Sequence, residues 1–271
     1  MSRRLSIALL CVTALASHAN AQTSSAPASP TRSDTVAVHR LPIDASKIQP
    51  GRFSYRLLIT RDTVVSPIGD QESTISTLDY AGTPAFILVR GGQQGVTTTT
   101  DSLTIRRADL QPLHWIASQG VARVAAEFTS DTIFGAMTSP LGKQTIVLPN
   151  RGDVLVNVMS VDATLAALPL TATWRDSATM LVVDAGGTAL TPVSLAVEGE
   201  EHITVPAGEF DCWIVGIETE RASARFWVTK QGQVVARSEQ PMPQLDGATL
   251  TRVLVQTDNA ALLSASARLP H

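Results

Sequence analysis

Cysteine is almost absent. Of the two in the chain, Cys11 lies in a leading apolar run and Cys212 stands alone, so the body of the protein has no disulfide framework to staple it. Aromatic residues make up only 4%, and no second long apolar stretch follows the first. No charge of one sign prevails either, with 21 basic against 24 acidic residues. That balance excludes the electrostatic footprint of a nucleic-acid or anionic-headgroup binder at the level of net charge. Histidine is scarce beyond the leader: His39, His114, His202 and His271 show no pair at zinc-ligand spacing.

Several motifs are also missing. Ser118 has Gly120 behind it but Ile116 ahead, so the Gly-x-Ser-x-Gly turn that exposes a hydrolase serine is incomplete. Around Gly142-Lys143-Gln144, Met137 and Gln144 replace the glycine and hydroxyl residue that a phosphate loop needs. Gly91-Gly92-Gln93-Gln94-Gly95 lacks the Gly-x-Gly opening of a dinucleotide fingerprint. Glu200-Glu201-His202 would alternate across a strand and could not grip one ion. No catalytic, metal or cofactor residue is therefore nominated, and no cofactor is expected.

What is present begins with a secretion signal. Arg3 and Arg4 precede an apolar run from Leu5 to Ala16, and Ala19-Asn20-Ala21 offers small residues for cleavage before Gln22. The run, about 12 residues, falls short of the roughly 20 of a membrane-spanning helix. The expectation is a free periplasmic or secreted protein cut near Ala21, with no transmembrane segment. Losing Arg3 and Arg4 would take the formal charge from −3 to about −5. Residues 22–50, rich in serine, proline and alanine, read as a disordered linker.

From Gly51 the pattern changes to alternation. Phe53, Tyr55, Leu57 and Ile59 mark a first strand, and short runs follow at 73–80, 85–90, 96–105, 114–119, 122–129, 132–137 and 144–148. Such spacing without intervening helices predicts hairpins in a mainly β, curved antiparallel sheet, a half-barrel or open barrel. Across 153–168 the rhythm shifts: Val154, Leu155, Val158, Met159, Val161, Leu165 and Leu168 recur at three- and four-residue intervals. Asp153 is placed to cap that segment and Pro169 to end it, which predicts one amphipathic helix, either covering the sheet or serving as a lid.

In the C-terminal third, strands are expected at 179–184, 189–198, 210–217, 226–228, 234–236 and 250–255, with a three-residue hairpin loop at Pro206-Ala207-Gly208. Residues 51–256 form one domain in this reading and 257–271 a tail. Phe210, Cys212 and Ile214 alternate with Trp213, Val215 and Ile217, so that strand is apolar on both faces and central. Trp213, Trp227, Leu155 and Met159 are the candidates for lining an apolar cavity or filling the core.

Val205-Pro206-Ala207-Gly208-Glu209-Phe210-Asp211-Cys212-Trp213, with Phe226-Trp227-Val228, Val234-Val235-Ala236-Arg237 and the earlier Leu165-Ala166-Ala167-Leu168-Pro169-Leu170, resembles domain-of-unknown-function family 3108. The resemblance implies an exported bacterial protein whose curved sheet is related to the half-barrels of lipoprotein carriers such as LolA and LolB. It carries no catalytic residues with it. Three functional readings follow: a module holding a lipid or lipoprotein acyl chain, an envelope-assembly protein docking a protein partner, or a hydrolase whose residues meet only in space.

Overall fold

The computed structural model describes residues 40–94, 96–184, 187–259 and 262. The expected signal peptide, most of the expected linker and most of the expected tail lie outside the described residues. Eight strands come first: β1 (Gly51–Arg61), β2 (Val64–Tyr80), β3 (Thr83–Gln94), β4 (Thr97–Arg106), β5 (Pro112–Gln119), β6 (Ala122–Phe128), β7 (Thr132–Ser139) and β8 (Gly142–Pro149). A two-residue strand β9 (Val154–Leu155) leads into helix α1 (Val158–Ala167). Six more follow among the described residues: β10 (Arg175–Asp184), β11 (Gly187–Val205), β12 (Gly208–Glu218), β13 (Ser223–Thr229), β14 (Val235–Met242) and β15 (Ala248–Thr257).

All fifteen strands belong to one sheet in the order β8 to β1, then β15 down to β9. The first and last long strands, β1 and β15, pair antiparallel at its centre, from Phe53↔Thr257 to Thr60↔Thr249. Only β9, beside β10 at Thr179↔Val154, is parallel. Chain reach forces the sheet to curl. Laid flat, fifteen strands at about 4.8 Å spacing would part the outer strands by roughly 67 Å. The five steps from Pro149 at the end of β8 to Val154 in β9 can span at most about 18 Å. The two edges therefore face each other across a seam, and the sheet stays open there.

Helix α1 fills the interior of that curl. Met159, Ala163 and Ala167, four residues apart, pack with Phe86, Leu103 and Ile146 of the first half. Val161, Leu165 and Leu168 pack with Leu195, Val215 and Phe226 of the second. The expected amphipathic pattern is corrected accordingly: α1 is apolar on two sides because it has sheet on two sides, as a helix surrounded by protein requires. Its start is also later than the periodicity suggests, because Val154 and Leu155 are extended and pair with β10. Asn157 caps the helix, accepting from Ser160 N–H at 3.0 Å, and Ser160 Oγ accepts in return from Asn157 N–H at 3.1 Å.

Two further boundaries move. Residues 40–50, read from composition as the end of the linker, are packed: Leu41 and Ile48 are buried, and a 3-10 turn covers Ala45–Lys47. Leu41, Ile43, Ala45 and Ile48 are the apolar residues there, a run too short and too interrupted by Pro42, Asp44, Ser46 and Lys47 to stand out from the Ser/Pro/Ala-rich stretch before it. Strand β2 begins at Val64 although Pro67 and Gly69 look like breakers. A register shift opposite Leu57 and Leu58 absorbs them, and β3 pairs only from Gly69 onward, so Pro67 has a neighbour on one side alone.

Strand β12 has its two faces in two cores. Val215 and Ile217 belong to the helix-facing cluster, whereas Phe210 and Cys212 join Phe53, Trp227 and Leu254 in another. A one-residue bulge between Val197 and Gly199 lets β11 follow, turning Ile203 and Val205 toward the second cluster. The β11–β12 turn closes over this cluster, where Ala207 N–H donates to Leu254 C=O at 3.2 Å. The loop holds two residues, Pro206 and Ala207, since Val205 pairs with Gly208. Gly208 itself has φ 138°. Replacing it with valine is expected to lower stability by about 1–3 kcal/mol, because a β-branched side chain is strained there. An unchanged urea midpoint would show that the backbone is not held in that conformation.

Candidate functional site beneath the helix

Three buried polar anchors hold α1 and its approach inside the sheet. At the helix N-terminus, Asp101 Oδ2 accepts from Arg90 Nη2 at 2.9 Å and Asn157 Nδ2 at 2.8 Å, and Oδ1 accepts from Trp115 Nε1 at 2.7 Å. Burial raises the Asp101 carboxyl above its ordinary range while those three donors pull against the rise. Ahead of the helix, Asp153 accepts from Leu41 N–H at 2.6 Å and Gln111 Nε2 at 3.0 Å. It thus ties the incoming chain to the interior instead of capping the helix.

The third anchor lies midway along α1. Arg252 of β15 grips Asp162 through Nη1 and Nη2, both at 2.7 Å. Its guanidinium carbon lies 4.5 Å from the centre of the Tyr55 ring. The Tyr55 hydroxyl donates to Val235 C=O at 3.1 Å, and burial pushes its pKa well above the ordinary phenol value. The cation therefore has a carboxylate in front and an aromatic face beside it.

Beside this anchor α1 leaves an apolar groove of about 50 Å³, at the end of the sheet where β1 begins. Phe53, Ile75, Leu88, Met159, Ala163 and Ala166 form its walls. The volume suits a small apolar group, far below the roughly 300–1,000 Å³ of sites that enclose a drug-sized ligand. A second cleft, of about 270 Å³, runs along the seam between Leu148 and Pro149 on one edge and Val154, Leu190 and Pro192 on the other. It marks where the sheet edges approach without pairing.

The four candidate residues separate. Met159 lines the groove, and Leu155 is buried with Val161 and Leu195 on the second-half side of α1. Trp227 is buried in the cluster with Phe53 and Cys212, its Nε1 donating to Glu201 Oε2 at 2.6 Å. Trp213 is half-buried on the other face of the sheet, with Lys230 Nζ 4.2 Å from its ring centre. Phe53, Ala163 and Ala166, which sequence reasoning did not single out, contribute more of the groove than the tryptophans do. Small residues at two helix positions were the available signal, but alanine is too common in helices to stand out.

Histidine and cysteine chemistry lies elsewhere. His202 Nδ1 is 2.9 Å from Asp211 Oδ1 on the exposed β11–β12 hairpin, and the bond to Asp211 raises its pKa. Glu200 pairs with Lys230 and Glu201 with Trp227, so the acidic run does point to both faces. His114 lies 3.4 Å from Glu127 and stacks on Tyr80. Among the described residues no group of three histidine, cysteine or acidic side chains could hold a metal. Cys212 is buried, and burial pushes its thiol up to about 12. A thiol reagent is expected to leave it unmodified in the native protein and to label it fully in denaturant; rapid native labelling would contradict the packing.

A curled, open, β-barrel-like sheet plugged by one helix defines the class. The chain belongs to the DUF3108 family of proteins of unknown function, whose pattern matches residues 54–249. Among solved structures it is similar to a β-barrel-like DUF1849 protein from Brucella abortus, with 10% identity and a TM-score of 0.53. That match covers 81% of this chain and 98% of the other. A protein with a YmcC-like fold from Bacteroides fragilis is similar at 13% identity and a TM-score of 0.31, over 82% of this chain and 100% of its own. Among curated proteins none matches. No helix among the described residues is long and apolar enough to cross a membrane.

Proposed function

We propose that the protein is an exported, non-enzymatic binding module of the cell envelope that receives the end of an apolar chain, such as a lipid or lipoprotein acyl group, beneath α1. The observation that supports this most directly is the groove itself, an apolar concavity between the helix and β1–β3. Its size matches a chain terminus. Enclosing a whole acyl chain would require α1 to shift, against the Arg252–Asp162 and Asp101–Asn157 anchors. The secretion signal in the sequence supports a place outside the cytoplasm.

Delipidated protein titrated with a fluorescent long-chain fatty acid is expected to show saturable binding. Ala166→Leu, which adds bulk to the groove wall, should weaken that binding while leaving the melting temperature close to that of the native protein. Absence of saturable binding by the native protein, or binding indifferent to Ala166→Leu, overturns the reading.

A further inference from the structure

In an antiparallel meander, alternate turns emerge at the same end. The β1–β2, β3–β4, β5–β6 and β7–β8 turns therefore share one end of the sheet, opposite the groove. Three of them carry the most exposed large apolar residues described in the protein: Val96 at 98%, Leu141 at 85% and Val121 at 73%. Register makes these tips neighbours. Gly120 N–H of the β5–β6 turn donates to Thr98 C=O beside the β3–β4 turn at 3.2 Å. The pair Arg123↔Thr138 sets the β7–β8 turn next to it. With alternate hairpins about 10 Å apart, the three side chains form a row roughly 20 Å long. Val64 and Val65, also exposed, flank the β1–β2 turn, which projects further at the same end.

Charge accompanies this row in one sign. The stretches 93–99, 118–123 and 139–144 contain Arg123 and Lys143 and no acidic residue. Both cations are exposed, and each lies two residues beyond an apolar tip. On the second half of the sheet the turns at this same end carry Glu218, Glu220 and Asp246 with Arg221 among them, and so are acidic on balance. At the opposite end of the first half, the turns present Ala81-Gly82, Arg107-Ala108-Asp109 and Ser130, with no exposed large apolar residue. The other exposed large apolar residues, Val89, Ile116, Phe134 and Val147, lie singly or in one pair along strands and need no explanation, whereas apolar turn tips gathered beside unopposed cations do.

We propose that the β3–β4, β5–β6 and β7–β8 tips form a docking rim for an anionic phospholipid surface, Val96, Val121 and Leu141 entering the headgroup region while Arg123 and Lys143 meet the phosphates. An apolar tip with a cation one step behind it matches the layering of a bilayer surface, apolar inside and phosphate outside. The acidic turns on the other half leave that side facing away from the lipid. The rim goes beyond the groove reading and is independent of it, because the two lie at opposite ends.

Vesicle flotation at low salt tests it, comparing phosphatidylcholine alone with phosphatidylcholine containing phosphatidylglycerol. The native protein is expected to float with the phosphatidylglycerol vesicles, and V96S/V121S/L141S to bind at least about tenfold more weakly, since binding scales with the apolar area inserted. R123Q/K143Q should lose the preference for phosphatidylglycerol. L141W should show a blue-shifted emission when vesicles are added. The triple variant should keep native melting behaviour and native fatty-acid binding, which separates failure of the rim from failure of the groove. Native protein that does not float, or a triple variant that floats as well, overturns the proposal. So does self-association in the absence of vesicles that the triple change abolishes, which would make a second copy the occupant.

Discussion

Asp162→Ala is expected to destabilise the protein by about 3–5 kcal/mol, because it strands a buried cation. The Arg252 side chain is only 5% exposed, and both carboxylate oxygens of Asp162 are engaged by its guanidinium. Removing the carboxylate leaves that charge inside the sheet with only the Tyr55 ring and Ser238 Oγ nearby. The double change Asp162→Leu with Arg252→Met removes the pair together, and should restore most of the loss, since the desolvation cost disappears with the interaction. Urea unfolding of the two variants measures both. If the single change is mild, water reaches Arg252 and the helix is not clamped as described. If the double change is as damaging as the single one, the pair supplies something beyond mutual neutralisation, such as the seating of α1.

Trp227→Ala should be comparably costly, about 3–5 kcal/mol, and much worse than Trp213→Ala. Trp227 is 5% exposed, shares a buried cluster with Phe53, Cys212 and Leu254, and carries Arg237 4.5 Å from its ring centre. Truncation leaves a cavity and removes the donor that Glu201 accepts from. Trp213 sits one strand away on the opposite face, half-buried, so its loss should cost about 1–2 kcal/mol through reduced burial and the missing Lys230 contact. Denaturant midpoints for the two variants give the comparison directly. Equal losses would mean that Trp213 is packed as deeply as its strand neighbours. Neither tryptophan lines the groove, so fatty-acid binding by folded Trp213→Ala is expected to be unchanged.

Much of the sheet was legible in particular residues. The alternation Phe53, Tyr55, Leu57 marks β1 because a strand with one face inward must repeat every second residue. The two-sided apolar character of residues 210–217 correctly indicates a strand covered twice, and β12 does divide its faces between two clusters. Where local signals conflicted with pairing, they misled. Pro67 and Gly69 look like a strand end, yet an edge position and a bulge accommodate both. Val154 and Leu155 fit a helical period, yet β10 offers them a strand partner.

The candidate site was less visible, for a physical reason. Its walls come from the consecutive strands β1–β3 and from α1, which lies far from them in the chain, and small residues such as Ala163 and Ala166 create space by what they lack. Likewise the docking rim depends on turn parity and register, which bring Val96, Val121 and Leu141 to one end although each alone reads as an ordinary exposed residue.

By itself the sequence determined most strand locations, the hairpin order and the existence of one helical segment near 153–168, because these depend on local period and turn chemistry. Tertiary structure alone decided that β1 and β15 pair at the centre of one sheet, and that the four residues between β8 and β9 draw its edges together. It also decided that α1 is enclosed by sheet on two sides and clamped by Arg252. Such decisions belong to contacts between residues as distant as Phe53 and Thr257, which no local pattern encodes.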